Sequence, residues 1–309
     1  MITQQTPPEA ALPGIGAHYE AGGRRLWLLR EGSGTPAVVF LPGASAVGLD
    51  YLNIHRQAAE LTTSVLYDRA GTGWSDPAEL PRSAAAVATE LRELLDASAV
   101  RGPFLLIAHS LGGAYARRLA QLFPADVAGV LYLDAFYEDN DAFMPERLHL
   151  ATVRQPDPGR LALRLMRPFA RRMYAAMLAG WPEPLRGRLI DAHLSAPWWQ
   201  AGVRERSTMA GLADELKAGG PVPDVPSIVL SPEGTDPGLR LFMSPKTIRA
   251  NAGGARRRNQ ALAASVSRGE YRPLPGARHS TVTTDRADAV VSALADLLAM
   301  TRLCTLTVM

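Results

Sequence analysis

Phe104-Leu-Leu-Ile-Ala-His109-Ser110-Leu111-Gly112-Gly113-Ala-Tyr-Ala-Arg-Arg-Leu-Ala-Gln-Leu-Phe123-Pro124 is the stretch from which the fold is read. Phe104 to Ala108 is continuously apolar, as a strand buried on both faces of a helix-covered parallel sheet would be. A helical stretch then runs until Phe123, just before a proline. Ser110 sits in the sharp turn between the two. A serine there takes a strained backbone conformation that lifts its hydroxyl clear of both elements. Strand and helix pass close together, so the positions two residues either side must be small, and Ala108 and Gly112 supply them. The backbone N–H of Leu111, at the helix start, faces a developing oxyanion and is helped by the helix dipole. His109, between the strand and the turn, is expected to pack rather than react.

Three further segments accompany this turn. Val38-Val-Phe-Leu-Pro42-Gly43-Ala44 is an apolar strand entering a small-residue loop. Tyr67-Asp68-Arg69-Ala70-Gly71-Thr72-Gly73-Trp74-Ser75-Asp76 carries paired glycines suited to a tight turn. Pro275-Gly276-Ala277-Arg278-His279-Ser280 follows the last expected strand and precedes the last expected helix. Together with the serine turn, which reads G-x-S-x-G with Ala108 at the first glycine, they resemble the α/β-hydrolase superfamily over nearly the whole length outside one insertion. The resemblance implies that Val38 to Ala44 is the strand and H-G-x loop, with Pro42 in place of the usual histidine and the N–H of Ala44 as second oxyanion donor. It implies that residues 67 to 76 are scaffold, a turn that Asp68 and Arg69 can hydrogen-bond. It also implies that His279 is the catalytic base.

A general base must reach the serine from a loop at the sheet's C-terminal edge, and the loop carrying His279 meets that need. The plainer reading, a structural or exposed side chain, is kept for His18, His55, His149 and His193. The base in turn needs a buried carboxylate to fix its tautomer. Family carboxylates most often follow the strand before the histidine's strand, which selects Asp236 in Ser231-Pro232-Glu233-Gly234-Thr235-Asp236-Pro237. The alternative is Asp134, ending the preceding strand in Leu131-Tyr-Leu-Asp134-Ala135, and Glu233 is a distant third. Asp236 is preferred.

Around these motifs, strands are expected at Arg24–Arg30, Ala37–Leu41, Val65–Tyr67, Phe104–Ala108, Val127–Leu133, Ser227–Leu230 and Tyr271–Leu274. Ser83 suits the cap of a helix burying Val87, Leu91 and Leu94, and Asp285 that of one burying Val290, Leu294 and Leu297. Alternating strands and helices predict an α/β fold, a mostly parallel doubly wound sheet. The alternation breaks between Asn140 and Pro223, where several short helices and no strand are expected. The organisation read from this is a core over 1–139 and 224–309, with a helical cap over 140–223 lying on the sheet's C-terminal edge. Pro168, Pro182, Pro184 and Pro197 should end or kink helices there. Arg160, Arg164, Arg167 and Arg171 share one helical face, with Met166, Phe169, Met173 and Met177 on the other. An anion grip is one reading of the arginines, and a solvated surface face is the plainer one. Trp181, Trp198 and Trp199 are expected to pack the insertion onto the core. Cys304 to Met309 reads as a tail.

The 309 residues carry a net charge of only +3, and no run of five or more like charges occurs, so nucleic-acid binding is not expected. The single cysteine excludes an intramolecular disulfide and fits a reducing compartment. Met1 to Gly16 lacks a basic start followed by an apolar stretch, and no run of about 18 apolar residues occurs, so neither a signal peptide nor a membrane span is expected. A cytoplasmic enzyme acting on a small-molecule substrate without metal or organic cofactor is the expectation. Its reaction is read as hydrolysis of an ester, lactone or thioester through an acyl-enzyme. A non-hydrolytic enzyme using the same side chains is the alternative, and a small-molecule receptor is a weaker one.

Overall fold

The computed structural model describes residues 15–152 and 159–307, with side chains excluded at 159–163, 241–242 and 302–307. The leader reading of residues 1–14 and the side chains of Arg160 and Cys304 lie outside the described residues. Eight strands form one sheet: β1 (Ala17–Ala21), β2 (Arg24–Glu31), β3 (Ala37–Leu41), β4 (Ser64–Tyr67), β5 (Phe104–His109), β6 (Val127–Leu133), β7 (Ser227–Pro232) and β8 (Gly269–Leu274). Their spatial order is β1-β2-β4-β3-β5-β6-β7-β8. β1 and β2 pair antiparallel, as do β2 and β4, and every pairing from β4 to β8 is parallel.

Helices supply the crossovers: α1 (Leu52–Leu61), α2 (Ala84–Ala97), α3 (Gly112–Leu122), and between β6 and β7 the run α4 (Asn140–Phe143), α5 (Gly159–Met177), α6 (Glu183–His193), α7 (Ala196–Arg206) and α8 (Met209–Ala218). After β7 come α9 (Leu239–Phe242) and α10 (Pro245–Ala264). Beyond β8 lie α11 (Val282–Asp285) and α12 (Ala287–Thr307).

The apolar strands are apolar throughout because both faces are covered. Phe104, Leu106 and Ala108 of β5 pack with Val87, Leu91 and Leu119 of α2 and α3. Leu105 and Ile107, pointing the other way, pack with Ile54 of α1 and Val290, Leu294 and Leu297 of α12. Fully burying each such side chain contributes about 1.5–3 kcal/mol before ordering costs.

Several local expectations change. β1 was not anticipated. It is joined to β2 by Gly22-Gly23, both at positive φ, the conformation a two-residue hairpin turn of this hand requires. Ser83 does cap α2, accepting from the N–H of Ala86 at 3.1 Å. Asp285, by contrast, caps nothing in α12. It ends α11 and accepts from Arg278 and Thr281. Pro182 precedes α6, and Pro184 and Pro197 lie in the first turns of α6 and α7, where a missing N–H has no helical partner to lose. They begin helices rather than ending them. Pro168 lies inside α5, which continues through it, and the last helix extends to Thr307 where a tail was expected from Cys304.

No strand occurs among the described residues between β6 and β7. This helical segment rests on the loops that follow β3 and β4. Trp181 donates from Nε1 to the Leu49 carbonyl at 2.8 Å, and Trp198 packs edge-on to Trp74. Buried His193 contacts the Asp50 carboxylate at 2.8 Å and stacks on Tyr174. On α5, Leu165, Met166, Phe169 and Met173 are exposed. Trp199, Arg164 and Arg167 line a cavity of about 340 Å³ whose walls include neither Ser110 nor His279. Arg171 instead pairs with Asp191 at the surface. No helix among the described residues is long and apolar enough to cross a membrane.

Candidate active site

Register brings Ser110, Asp134 and the loop after β3 to one edge of the sheet. His109 at the end of β5 pairs with Leu133 at the end of β6, so Ser110 and Asp134 leave neighbouring strands at one level. Leu41 pairs with Ala108 on the other side, so Pro42-Gly43-Ala44 leaves the sheet beside the serine. The turns are stitched by main-chain bonds: Ser110 N–H to the Leu133 carbonyl at 3.2 Å, and Phe136 N–H to the Ser110 carbonyl at 2.7 Å.

Ser110 has φ +50° and Asp134 φ +42°, both in the left-handed region that costs a non-glycine residue about 1–2 kcal/mol. The close approach expected around the serine is tight. A Cβ on Gly112 would fall 2.0 Å from the Leu41 carbonyl oxygen, and one on Gly113 would fall 2.7 Å from the Cβ of Ala135. Gly113 was not singled out from sequence, although it is as constrained as Gly112.

His279, in the loop after β8, bridges the two turns. Its Nδ1–H donates to Asp134 Oδ2 at 2.7 Å, and the Ser110 hydroxyl donates to its Nε2 at 3.1 Å. Asp236, preferred from the sequence, makes no hydrogen bond to the His279 imidazole. The loop after β7 is zipped to the histidine loop by Gly234 N–H to the Ala277 carbonyl at 2.6 Å, which carries Asp236 past the imidazole. Its carboxylate instead accepts from the backbone and hydroxyl of Ser280. Glu233 pairs with Arg256.

Asp134 is held from behind by two side chains of α10. Arg258 Nη2 and Asn259 Nδ2 donate to Oδ1 at 2.5 and 2.9 Å, and Asn259 also donates to Ser231 Oγ. Neither α10 residue was found from sequence, because adjacent positions 258 and 259 carry no pattern that points to a strand end more than 120 residues earlier. Burial alone would raise the Asp134 carboxyl, but the Arg258 charge and the His279 bond outweigh it and hold the group well below the usual carboxylate range. For His279 burial pulls downward, and the Asp134 hydrogen bond and charge, with Asp236 adding, raise it above the ordinary imidazole value.

His109 packs, as expected, and also closes a directional chain. Its Nε2 meets the His279 carbonyl at 3.0 Å, and a carbonyl only accepts, so Nε2 carries the proton. Nδ1 therefore accepts from the Tyr51 hydroxyl at 2.7 Å, and Tyr51 Oη accepts from the N–H of Gly43 at 3.1 Å. Burial, then the neighbouring His279, push His109 down to about 3, so it stays neutral. Tyr51 is the unforeseen member, linking the loops of Gly43, Ser110 and His279.

The N–H groups of Ala44 and Leu111 have no hydrogen-bond acceptor among the described residues. A Cβ on Gly43 would lie 3.1 Å from Ser110 Cβ, so the Ala44 loop stands against the serine. The remaining histidines are structural: His18 meets the Trp74 carbonyl, His55 meets Ser64, and His149 meets the Met144 carbonyl. No group of three or more His, Cys, Asp or Glu side chains suited to a metal ion occurs among the described residues.

A curated relative, the uncharacterized protein YbdG of Bacillus subtilis (strain 168), is 27% identical over 127 residues, 40% of this chain and 39% of that protein. The chain thus matches about two-fifths of that relative's length. An esterase from Thermogutta terrifontis superposes with TM-score 0.62 at 16% identity, over 93% of this chain and 99% of its own. A putative epoxide hydrolase from Pseudomonas aeruginosa superposes with TM-score 0.66 at 23% identity, over 95% of this chain and 99% of its own. These likenesses establish the fold, and the model of the alpha/beta hydrolase family matches residues 38–293. The chain belongs to the alpha/beta hydrolase family.

Proposed function

We propose that this protein is a serine hydrolase that cleaves an ester, lactone or thioester of a small to medium apolar substrate through an acyl-enzyme. The observation that carries this reading is one imidazole bonded to a strained serine on one side and a buried carboxylate on the other. Ser110 Oγ attacks the carbonyl carbon while His279 Nε2 takes its proton. The oxyanion forms toward the N–H groups of Ala44 and Leu111. As the tetrahedral species collapses, His279 returns the proton to the leaving group, and water then repeats the sequence against the acyl-enzyme. Asp134 keeps the imidazole in the required tautomer and stabilises its charged form. No step calls for a metal or organic cofactor.

The His279 side chain is 41% exposed, so the base faces water able to release the acyl group. That favours hydrolysis over acyl transfer to another acceptor, in which water must be kept from the acyl-enzyme. The esterase of similar fold supports the same choice of substrate class. A fluorophosphonate is expected to add one phosphonyl group to Ser110, located by peptide mass, and to stop hydrolysis of short-chain aryl esters and thioesters. Undiminished turnover with Ser110 unlabelled would overturn the covalent mechanism.

The pH profile follows from the same geometry. Only neutral His279 accepts the serine proton, so kcat/KM falls as pH drops through its ionisation. Because the Asp134 bond and charge raise that ionisation against the pull of burial, the acid limb should have its midpoint above the ordinary histidine value of 6.5. Arg258 opposes the rise. Arg258→Met should therefore move the limb to still higher pH, whereas a lower or unmoved midpoint would contradict this account.

A further inference from the structure

Resting on the serine-hydrolase reading, we propose that Glu205, on α7 of the helical insertion, is a positioning residue that aims the Ala44 N–H at the oxyanion through Arg69 and Ser45. Arg69 and Glu205 are each 2% exposed at the side chain. Glu205 Oε1 accepts from Arg69 Nε at 3.0 Å and Nη2 at 2.6 Å, while its Oε2 accepts from the Ser45 N–H at 3.0 Å. Arg69 also donates Nη1 to the Pro42 carbonyl at 2.8 Å and Nη2 to the Gly43 carbonyl at 3.0 Å. One ion pair thus grips the loop at two carbonyls before Ala44 and at the N–H after it.

Within the loop the Ala46 N–H donates to the Gly43 carbonyl at 3.3 Å, and other supports come from outside it. Tyr51 takes the Gly43 N–H, and Arg206 Nη1 donates to Ser45 Oγ at 2.8 Å. Ser45 has φ +66°, so the loop turns sharply straight after Ala44. A Cβ on Gly202 would fall 1.7 Å from Ser45 Oγ, so the α7 backbone lies directly against this turn. Gly43 N–H and Ser45 N–H both have acceptors, and the Ala44 N–H between them has none among the described residues. Pro42, where the family resemblance leads one to expect a histidine, brings neither a side-chain donor nor an N–H to steady this loop. A carboxylate reaching in from α7, acting through Arg69, does that instead.

Loss of an oxyanion donor costs about 10²–10³ in kcat, and a misaimed one part of that. Glu205→Gln keeps the shape but removes the charge that holds Arg69. It is expected to lower kcat by about 10–100-fold with KM within about threefold. Affinity for a trifluoromethyl ketone, which forms the tetrahedral adduct, should fall in step with kcat, while the acid limb set by His279 stays in place. A purely structural role would move the melting temperature without this pattern. Should Glu205→Gln fail to fold, Gly202→Ala tests the same turn from α7 by pressing on Ser45 Oγ and Cβ, and adding Ser45→Gly, which removes both atoms, should restore most of the lost kcat. Folded Glu205→Gln with unchanged kcat, a rise in KM alone, or the absence of rescue in the double variant would overturn the proposal. Fluorophosphonate labelling of the wild-type chain separates the two failures: labelled Ser110 with insensitive Glu205→Gln defeats only this inference, and unlabelled Ser110 defeats the reading beneath it.

Discussion

Asp134→Asn is expected to lower kcat for an activated ester on the order of 10⁴-fold, while Asp236→Asn stays within about threefold of the parent. The reason is tautomeric. Asp134 Oδ2 accepts the Nδ1 proton of His279 at 2.7 Å, which leaves Nε2 bare for the serine. An asparagine turned with its NH₂ toward Nδ1 would favour the tautomer protonated at Nε2, which cannot receive the Ser110 proton. The other orientation points that NH₂ at Arg258 and Asn259, both of which are donors at Oδ1, so the surroundings select the harmful rotamer. Asp236 makes its contacts to Ser280, one residue beyond the imidazole, so its amide alters only a loop bond. Steady-state kinetics of both variants decide the matter. Comparable losses in the two, or a larger loss for Asp236→Asn, would remove Asp134 from the role of orienting acid.

The sequence pointed first to Asp236, whereas the carboxylate bonded to His279 is that of Asp134. Strand composition is local, so Ala37–Leu41 and Val127–Leu133 could be bounded to the residue, and the serine turn could be read from small residues flanking one hydroxyl. Choosing between Asp134 and Asp236 requires knowing which strand end points its first loop residue inward. That depends on the φ +42° of Asp134 and on the bond zipping Gly234 to Ala277, neither of which has a compositional signature. Gly22-Gly23 did carry a usable hairpin signal, and β1 was missed because its exposed edge position leaves it polar. The buried partners of the site, Glu205 for Arg69 and Arg258 for Asp134, lie 136 and 124 residues away in sequence. A charged residue in a helix reads as solvated until its counter-charge is placed beside it. Pro182, Pro184 and Pro197 failed as breakers for a related reason: at the start of a helix a proline is a starter, and periodicity alone does not separate the two.

Ser110→Ala should lower kcat on the order of 10⁵–10⁶-fold, His279→Ala should do about the same, and the double variant should be no worse than either alone. Nucleophile and base act in one proton transfer, so removing either removes the whole step, and nothing remains for the second substitution to take away. Additive losses would mean that the two side chains act in separate steps. The fold should survive, because the bonds that tie position 110 into the sheet are main-chain bonds from Ser110 N–H to Leu133 and from Phe136 and Gly113 to the Ser110 carbonyl. Stability provides an independent check on the strained turn. Alanine at φ +50° keeps the steric cost that serine bears, whereas glycine does not. Ser110→Gly should therefore unfold with a free energy about 1 kcal/mol higher than Ser110→Ala, although glycine gains more entropy on unfolding. Denaturant titration of the two inactive variants measures that difference directly. A glycine variant less stable than the alanine variant would mean that the backbone at Ser110 is relaxed, and that its hydroxyl is not held out by the turn.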